Sequence, residues 1–217
     1  QKMLDIAKTL LVKELSLADR FILAGVMVQV MSAFSLSGVE GGLLSSVFMI
    51  VYLIASPIGG YFGDRRSRPR LISISVLIWS IATIGSALAS NFTLLLLARA
   101  ATGFGEAGFG AVAPALLADR YRPEDRGRAF AIFYAAIPLG AGLGFVLGGV
   151  IGEAMGWQAA FFIGGLPGLV AGLFAWWIED PPRGAVDSEA PINMTFGAGL
   201  RSLASNRAFW TLTASLT

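Results

Sequence analysis

Apolar residues run along this chain in long blocks rather than at amphipathic spacing. Gly41–Phe62 contains 22 residues without a charge, and Leu71–Ala98 contains 28. A run of roughly 18 or more, at about 1.5 Å per residue, crosses a hydrocarbon core about 30 Å thick. Hydropathy and breakers together predict six spans, over Ala7–Met31, Gly41–Gly63, Leu71–Ala89, Phe92–Leu117, Gly127–Gly152 and Trp157–Ile178. The expected fold class is an all-α membrane protein, with a six-helix transmembrane bundle over residues 1–179. Beyond it, Glu179-Asp180-Pro181-Pro182-Arg183-Gly184 is a polar, helix-breaking exit. A cytoplasmic linker is expected over 180–207. In it Ile192, Phe196, Leu200 and Leu203 recur about every four residues, which fits an amphipathic helix on the membrane surface and equally a solvated linker. Residues 208–217 turn apolar again and stop short, as the start of a truncated seventh helix would.

Composition agrees with the blocks. Of 217 residues 55% are hydrophobic and only 14% charged, against about 25% charged in soluble domains. The absence of Cys and His excludes disulfides, thiol chemistry, zinc and haem ligation and a Ser-His-Asp triad. No enzyme activity and no cofactor are expected, and a net charge of +2 is too small and dispersed for nucleic acid. The N-terminal segment, with Lys2, Asp5, Lys8, Lys13 and Glu14, lacks the apolar core and cleavage site of a signal peptide. Orientation follows from the loops. Ser32–Glu40, Ser90–Asn91 and Glu153–Gly156 hold no Lys or Arg, whereas the alternate loops hold Arg65, Arg66, Arg68 and Arg70, then Arg120, Arg122, Arg126 and Arg128. The positive-inside rule therefore places both termini in the cytoplasm, in a plasma or inner membrane. Trp157, Trp176 and Trp177 stand at predicted helix ends, where interfacial aromatics belong.

Ionisable residues inside spans carry the functional information. A central Arg, Lys or Asp costs at least about 2.5–3.5 kcal/mol on insertion scales, so such groups face a protein interior or a wet cavity. The first span carries Asp19 and Arg20, the fourth Arg99 and Glu106. Arg99 and Glu106 are seven residues apart, on one face but about 10 Å apart along the axis, so each needs a partner on another helix. The pairing expected is Arg20 with Glu106 and Asp19 with Arg99, though spacing alone does not fix it. A static bridge and a carboxylate that exchanges its proton or its arginine are both consistent with these four. Spans one and four cross in opposite directions, each opens a three-helix unit, and both carry the charges, which is the signature of two inverted repeats. Lys13 and Glu14 lie in the cytoplasmic third of the first span, where a lysine can snorkel to the surface.

Gly140, Gly144, Gly148 and Gly152 recur every four residues along the fifth span. Such a ridge lets another helix backbone approach closely, or lets the helix slide. Pro57, Pro114, Pro138 and Pro167 fall within spans, as hinge points would. Gly103-Phe-Gly105-Glu-Ala-Gly108 matches GxGxxG but follows no strand, so it is not a dinucleotide loop. The sequons at Asn91 and Asn193 are discounted, the first lying against the membrane and the second on the cytoplasmic side.

The segment Gly60-Tyr-Phe-Gly-Asp64-Arg65-Arg66-Ser67-Arg68-Pro69-Arg70 resembles the loop between helices two and three of the major facilitator superfamily, with Ser67 where Gly is usual. Ala18–Leu23, Gly42–Gly60, Arg99–Ala107, Phe133–Gly140 and Pro181-Pro182-Arg183-Gly184-Ala185 are similar to Spinster-type transporters, and the likeness covers about Ala18 to Ala185. Ser16-Leu17 stands where that family commonly has Asn-Tyr. The resemblance implies the N-terminal half of a major facilitator fold, completed by a second six-helix bundle. It also implies alternating-access transport of lysophospholipid or sphingolipid-like amphiphiles, coupled to protons. Asp19, Arg20, Arg99 and Glu106 would line a central polar cavity, with Glu106 and Asp19 as proton carriers and the arginines balancing them or meeting a phosphate headgroup. Asp64, Arg65, Arg68, Asp119 and Arg126 would form a cytoplasmic gate. An organic-anion symporter of the same superfamily shares the Arg…Gly-x-x-Glu-Ala pattern, and a membrane scaffold or sensor is the reading from another class.

Overall fold

A computed structural model describes residues 20–184 and 195–215. Asp19, Lys13 and Glu14, and with them the first part of the first expected span, lie outside the described residues. Six helices form a bundle: α1 (Arg20–Ala33), α2 (Gly38–Gly63), α3 (Arg68–Ala87), α4 (Phe92–Arg120), α5 (Pro123–Met155) and α6 (Trp157–Ala175). Two short helices follow, α7 (Phe196–Ser205) and α8 (Arg207–Ser215). Each boundary has a local cause. Ser37 and Glu40 form a reciprocal capping box at the start of α2. Asn91 caps α4 by accepting from the Leu94 N–H. Proline fills the first turn of α3 and α5, where its missing N–H is harmless. A single residue joins α5 to α6: Gly156 has φ +90°, a conformation only glycine adopts without strain.

The boundaries differ from the hydropathy reading at several points. α3 begins at Arg68 rather than Leu71, because Arg68 and Pro69 are buried in its first turn. α6 ends at Ala175, three residues before Ile178. Among the described residues, four helices (α2, α3, α5, α6) are long and apolar enough to cross a membrane. α4 has the length, 29 residues or about 43 Å, but its interior charges lower its mean hydropathy. Pro57, Pro114, Pro138 and Pro167 each lie inside a continuous helix.

Packing explains the glycines. α2 lies mainly on α4, and α3 on α4 and α6. At the α1–α5 crossing a Cβ on Gly25 would stand 2.8 Å from the Phe145 carbonyl, and one on Gly148 would stand 2.8 Å from that of Ile22. All four glycines of the ridge, Gly140, Gly144, Gly148 and Gly152, are buried. At the α2–α4 crossing a Cβ on Gly103 would come within 2.5 Å of the Phe48 carbonyl, while Gly105 faces the α3 backbone at Ser75 and Trp79. The GxGxxG match is therefore a packing surface. Phe34 and Trp157 (rings 5.4 Å apart) join α1 to α6, in a cluster with Ile22, Val26, Leu95 and Phe161. α1 meets α5 and α6, and α4 meets α2 and α3, the pairing that two inverted three-helix repeats would give. A buried hydroxyl joins α3 to α6, with Ser73 Oγ donating to the Gly172 carbonyl at 2.6 Å. Large apolar side chains such as Val28, Leu53 and Trp177 are more than two-thirds exposed, as a lipid-facing or bundle-facing surface requires.

Candidate functional site

Glycine on α4 builds the site. Because Gly103 has no side chain, α4 closes on α2 at Phe48, and Gly110 faces the Tyr52 hydroxyl one turn further along α2. Arg20, at the start of α1, reaches into this crossing. Its Nε and Nη2 both donate to Oε2 of Glu106, at 3.1 and 2.6 Å. Glu106 is 1% exposed, whereas the Arg20 side chain is 29% exposed, so the pair is open from the arginine's side. The Arg20 guanidinium also lies 4.8 Å from the Phe48 ring centre and 5.2 Å from that of Tyr52. Arg99, 2% exposed, approaches the same Phe48 ring at 5.0 Å. Two guanidinium groups thus share one aromatic ring, and Glu106 pairs with the first of them. Cation–π contact offsets part of the desolvation each cation suffers.

Of the four residues expected here, Arg20, Arg99 and Glu106 are brought together, and the Arg20–Glu106 pairing is the expected one. Asp19 lies outside the described residues. Phe48 and Tyr52 are additions: apolar patterning treats them as span residues, and only their spacing of four on one helix face hinted at a joint role.

A second cluster lies at the C-terminal end of α4. Arg68 Nη1 donates to Asp119 Oδ2 and, at 3.2 Å, to the Ala115 carbonyl. The side chains of this pair are 7% and 9% exposed. Arg126 Nη2 donates to the Ala118 carbonyl at 2.8 Å, tying α5 to the end of α4. Asp64 is exposed and caps α2 through its own N–H to the Gly60 carbonyl. Arg65 stacks 3.8 Å from the Tyr61 ring centre and donates to the Tyr61 carbonyl. Of the five expected gate residues, then, Arg68 and Asp119 meet, Arg126 abuts them through backbone, and Asp64 and Arg65 sit outside the pair. Arg120, counted only as a loop charge, is buried and donates to the Glu179 carbonyl at 3.3 Å and its carboxylate at 3.2 Å.

Residues 10–217 match the family described as Major Facilitator Superfamily. The chain belongs to the major facilitator superfamily. Within it, the chain is 38% identical over 203 residues to protein spinster homolog 1 of Homo sapiens, covering 90% of this chain and 38% of that protein. It is 32% identical over 202 residues to the sphingosine-1-phosphate transporter SPNS2 of Danio rerio, covering 90% and 40%. Among solved structures, a bacterial homologue of the human lysosomal transporter Spinster, inward-facing and unoccupied, superposes with a TM-score of 0.84 at 27% identity. That superposition covers 98% of this chain and 51% of the other. This major facilitator chain thus spans about half of the solved relative and about two-fifths of the curated ones. Its six helices are the all-α bundle of half a major facilitator fold.

Proposed function

We propose that the chain is the N-terminal bundle of a secondary transporter that moves lysophospholipid or sphingolipid-like amphiphiles by alternating access, coupled to protons. The observation that carries this reading is the Arg20–Glu106 pair, closed by protein around Glu106 and open at Arg20. An ionised Glu106 holds Arg20 through two charge-assisted bonds on one oxygen. Once protonated, the carboxyl loses its charge and releases the guanidinium, which then meets an anionic headgroup beside Phe48 and Arg99. The apolar remainder of the helices suits an acyl chain. The similarity to a relative named as a sphingosine-1-phosphate transporter supports the lipid over another organic anion. A second six-helix bundle would complete the pathway. In this reading both termini are cytoplasmic, and the end of the bundle bearing Arg68 and Asp119 is the cytoplasmic gate.

The deciding experiment is proton-driven uptake of lysophospholipid into proteoliposomes. Glu106→Gln is expected to abolish the response to a pH gradient while the protein still folds; an unchanged response would remove Glu106 from coupling and favour the scaffold reading. A thermal-shift screen of lysolipids against organic acids at two pH values separates the lipid from the organic-anion reading. For the gate, Asp64→Asn and Asp119→Asn are expected to shift the balance of inward and outward states, read from spin-label distances. Asp119 carries the larger effect because its partner Arg68 is buried with it.

A further inference from the structure

The segment that leaves α6 is not a free linker. Glu179 accepts from Arg120 at the end of α4 through both its carbonyl and its carboxylate. Pro181 and Pro182 follow, with fixed φ and no N–H to satisfy, which stiffens the chain as it turns back across the bundle. Arg183 then donates from Nη2 to two carbonyls, that of Gly63 at the end of α2 at 3.1 Å and that of Arg66 in the α2–α3 loop at 2.6 Å. Carbonyls past the last turn of a helix need donors from elsewhere, and one guanidinium nitrogen serves both. Gly184 has φ +65°, the left-handed region, and in that conformation its N–H donates to Asp119 Oδ1 at 3.1 Å. Asp119 therefore holds Arg68 on one oxygen and the strap on the other.

We propose that Glu179–Gly184 is a latch on the cytoplasmic gate and that Arg183 is its positioning residue. By bridging the end of α2 to the strap, Arg183 fixes the α2–α3 loop relative to α4 and keeps Asp119 oriented toward Arg68. The prolines give the strap a rigid approach, the arginine grips two carbonyls, and the glycine supplies a left-handed N–H. Arg183 is exposed, so water competes for its bonds, and the grip can be released when the gate moves. The latch rests on the gate reading of Arg68 and Asp119.

Hydrogen exchange of the full-length protein in lipid nanodiscs tests it. Arg183→Met is expected to speed amide exchange over residues 62–70 and 116–122 by about five- to tenfold, as the loss of one or two solvent-accessible bonds should. The centre of α5, residues 140–150, should be unchanged. Arg183→Lys, which keeps a charged donor, should restore much of the protection. Gly184→Ala, which retains the guanidinium but strains the left-handed turn, should reproduce the pattern at 116–122 and serves if Arg183→Met does not fold. Exchange over 62–70 and 116–122 staying within about twofold of the parent in both variants would overturn the latch. So would a uniform rise across all helices, which marks general destabilisation. If Asp119→Asn leaves spin-label distances unchanged, the gate reading fails by itself, while the exchange pattern of Arg183→Met still reports on the strap.

Discussion

Glu106 is nearly sealed from solvent, and Arg20, more open, holds its charge in place. Removing one partner of a buried pair leaves the other charge uncompensated, at a cost of about 3–5 kcal/mol. Because Arg20 is partly exposed, Arg20→Met is expected at the lower end, about 3 kcal/mol. Glu106→Gln, which keeps the shape and an acceptor oxygen, should cost less; thermal unfolding in detergent compares the two. If both variants melt with the parent, the bridge contributes little to the fold. Arg20, Arg99 and Glu106 were legible as residues that meet, because ionisable groups in apolar helices demand an interior or a cavity. Their aromatic neighbours Phe48 and Tyr52 were not, since nothing in an apolar run distinguishes a ring facing lipid from one facing a guanidinium. The same holds for Asp119: its charge was visible, but its burial with Arg68 depends on where the end of α4 meets the start of α3.

At the scale of the helix, the glycines of α5 fall into two kinds, those on the buried ridge and those off it. Gly148 receives the α1 backbone, whereas a Cβ on Gly142 or Gly149 would meet nothing within 4 Å. Gly148→Ala forces α1 and α5 apart and is expected to cost about 1–3 kcal/mol, as overpacking does. Gly142→Ala keeps the contact and gains helix propensity, so it should melt at or above the parent. Equal melting of the two variants would mean the crossing is looser than its backbone distances. Helix existence followed from hydropathy, and the boundaries that moved did so for reasons of packing. α3 starts early because Arg68 and Pro69 fold into the interior. α7 is helical over Phe196–Ser205, with Phe196 set edge-on to Tyr61 at 5.4 Å, while Ile192 lies outside the described residues.

Over the whole bundle, the sorting of arginines predicts orientation, and the absence of cysteine from these 217 residues makes it simple to check. Single cysteines at Ser90 and Glu153 should react with a membrane-impermeant maleimide from outside intact cells, and those at Arg66 and Arg128 only after permeabilisation. The reverse pattern would invert the topology and move the gate to the other side of the membrane. Sequence by itself determined that the chain lives in a bilayer, where its helices run, and which charges are out of place there. Those properties follow from local chemistry, because the cost of placing a residue in hydrocarbon depends on that residue and its helix. Tertiary structure alone decided that Glu106 takes Arg20, that Phe48 lies near two guanidiniums, that Asp119 pairs with Arg68, and that Arg183 reaches the Gly63 and Arg66 carbonyls. Each joins groups far apart in the chain, and at Phe48 their distance is set by how closely Gly103 lets the α2 and α4 backbones approach, a quantity no single helix carries.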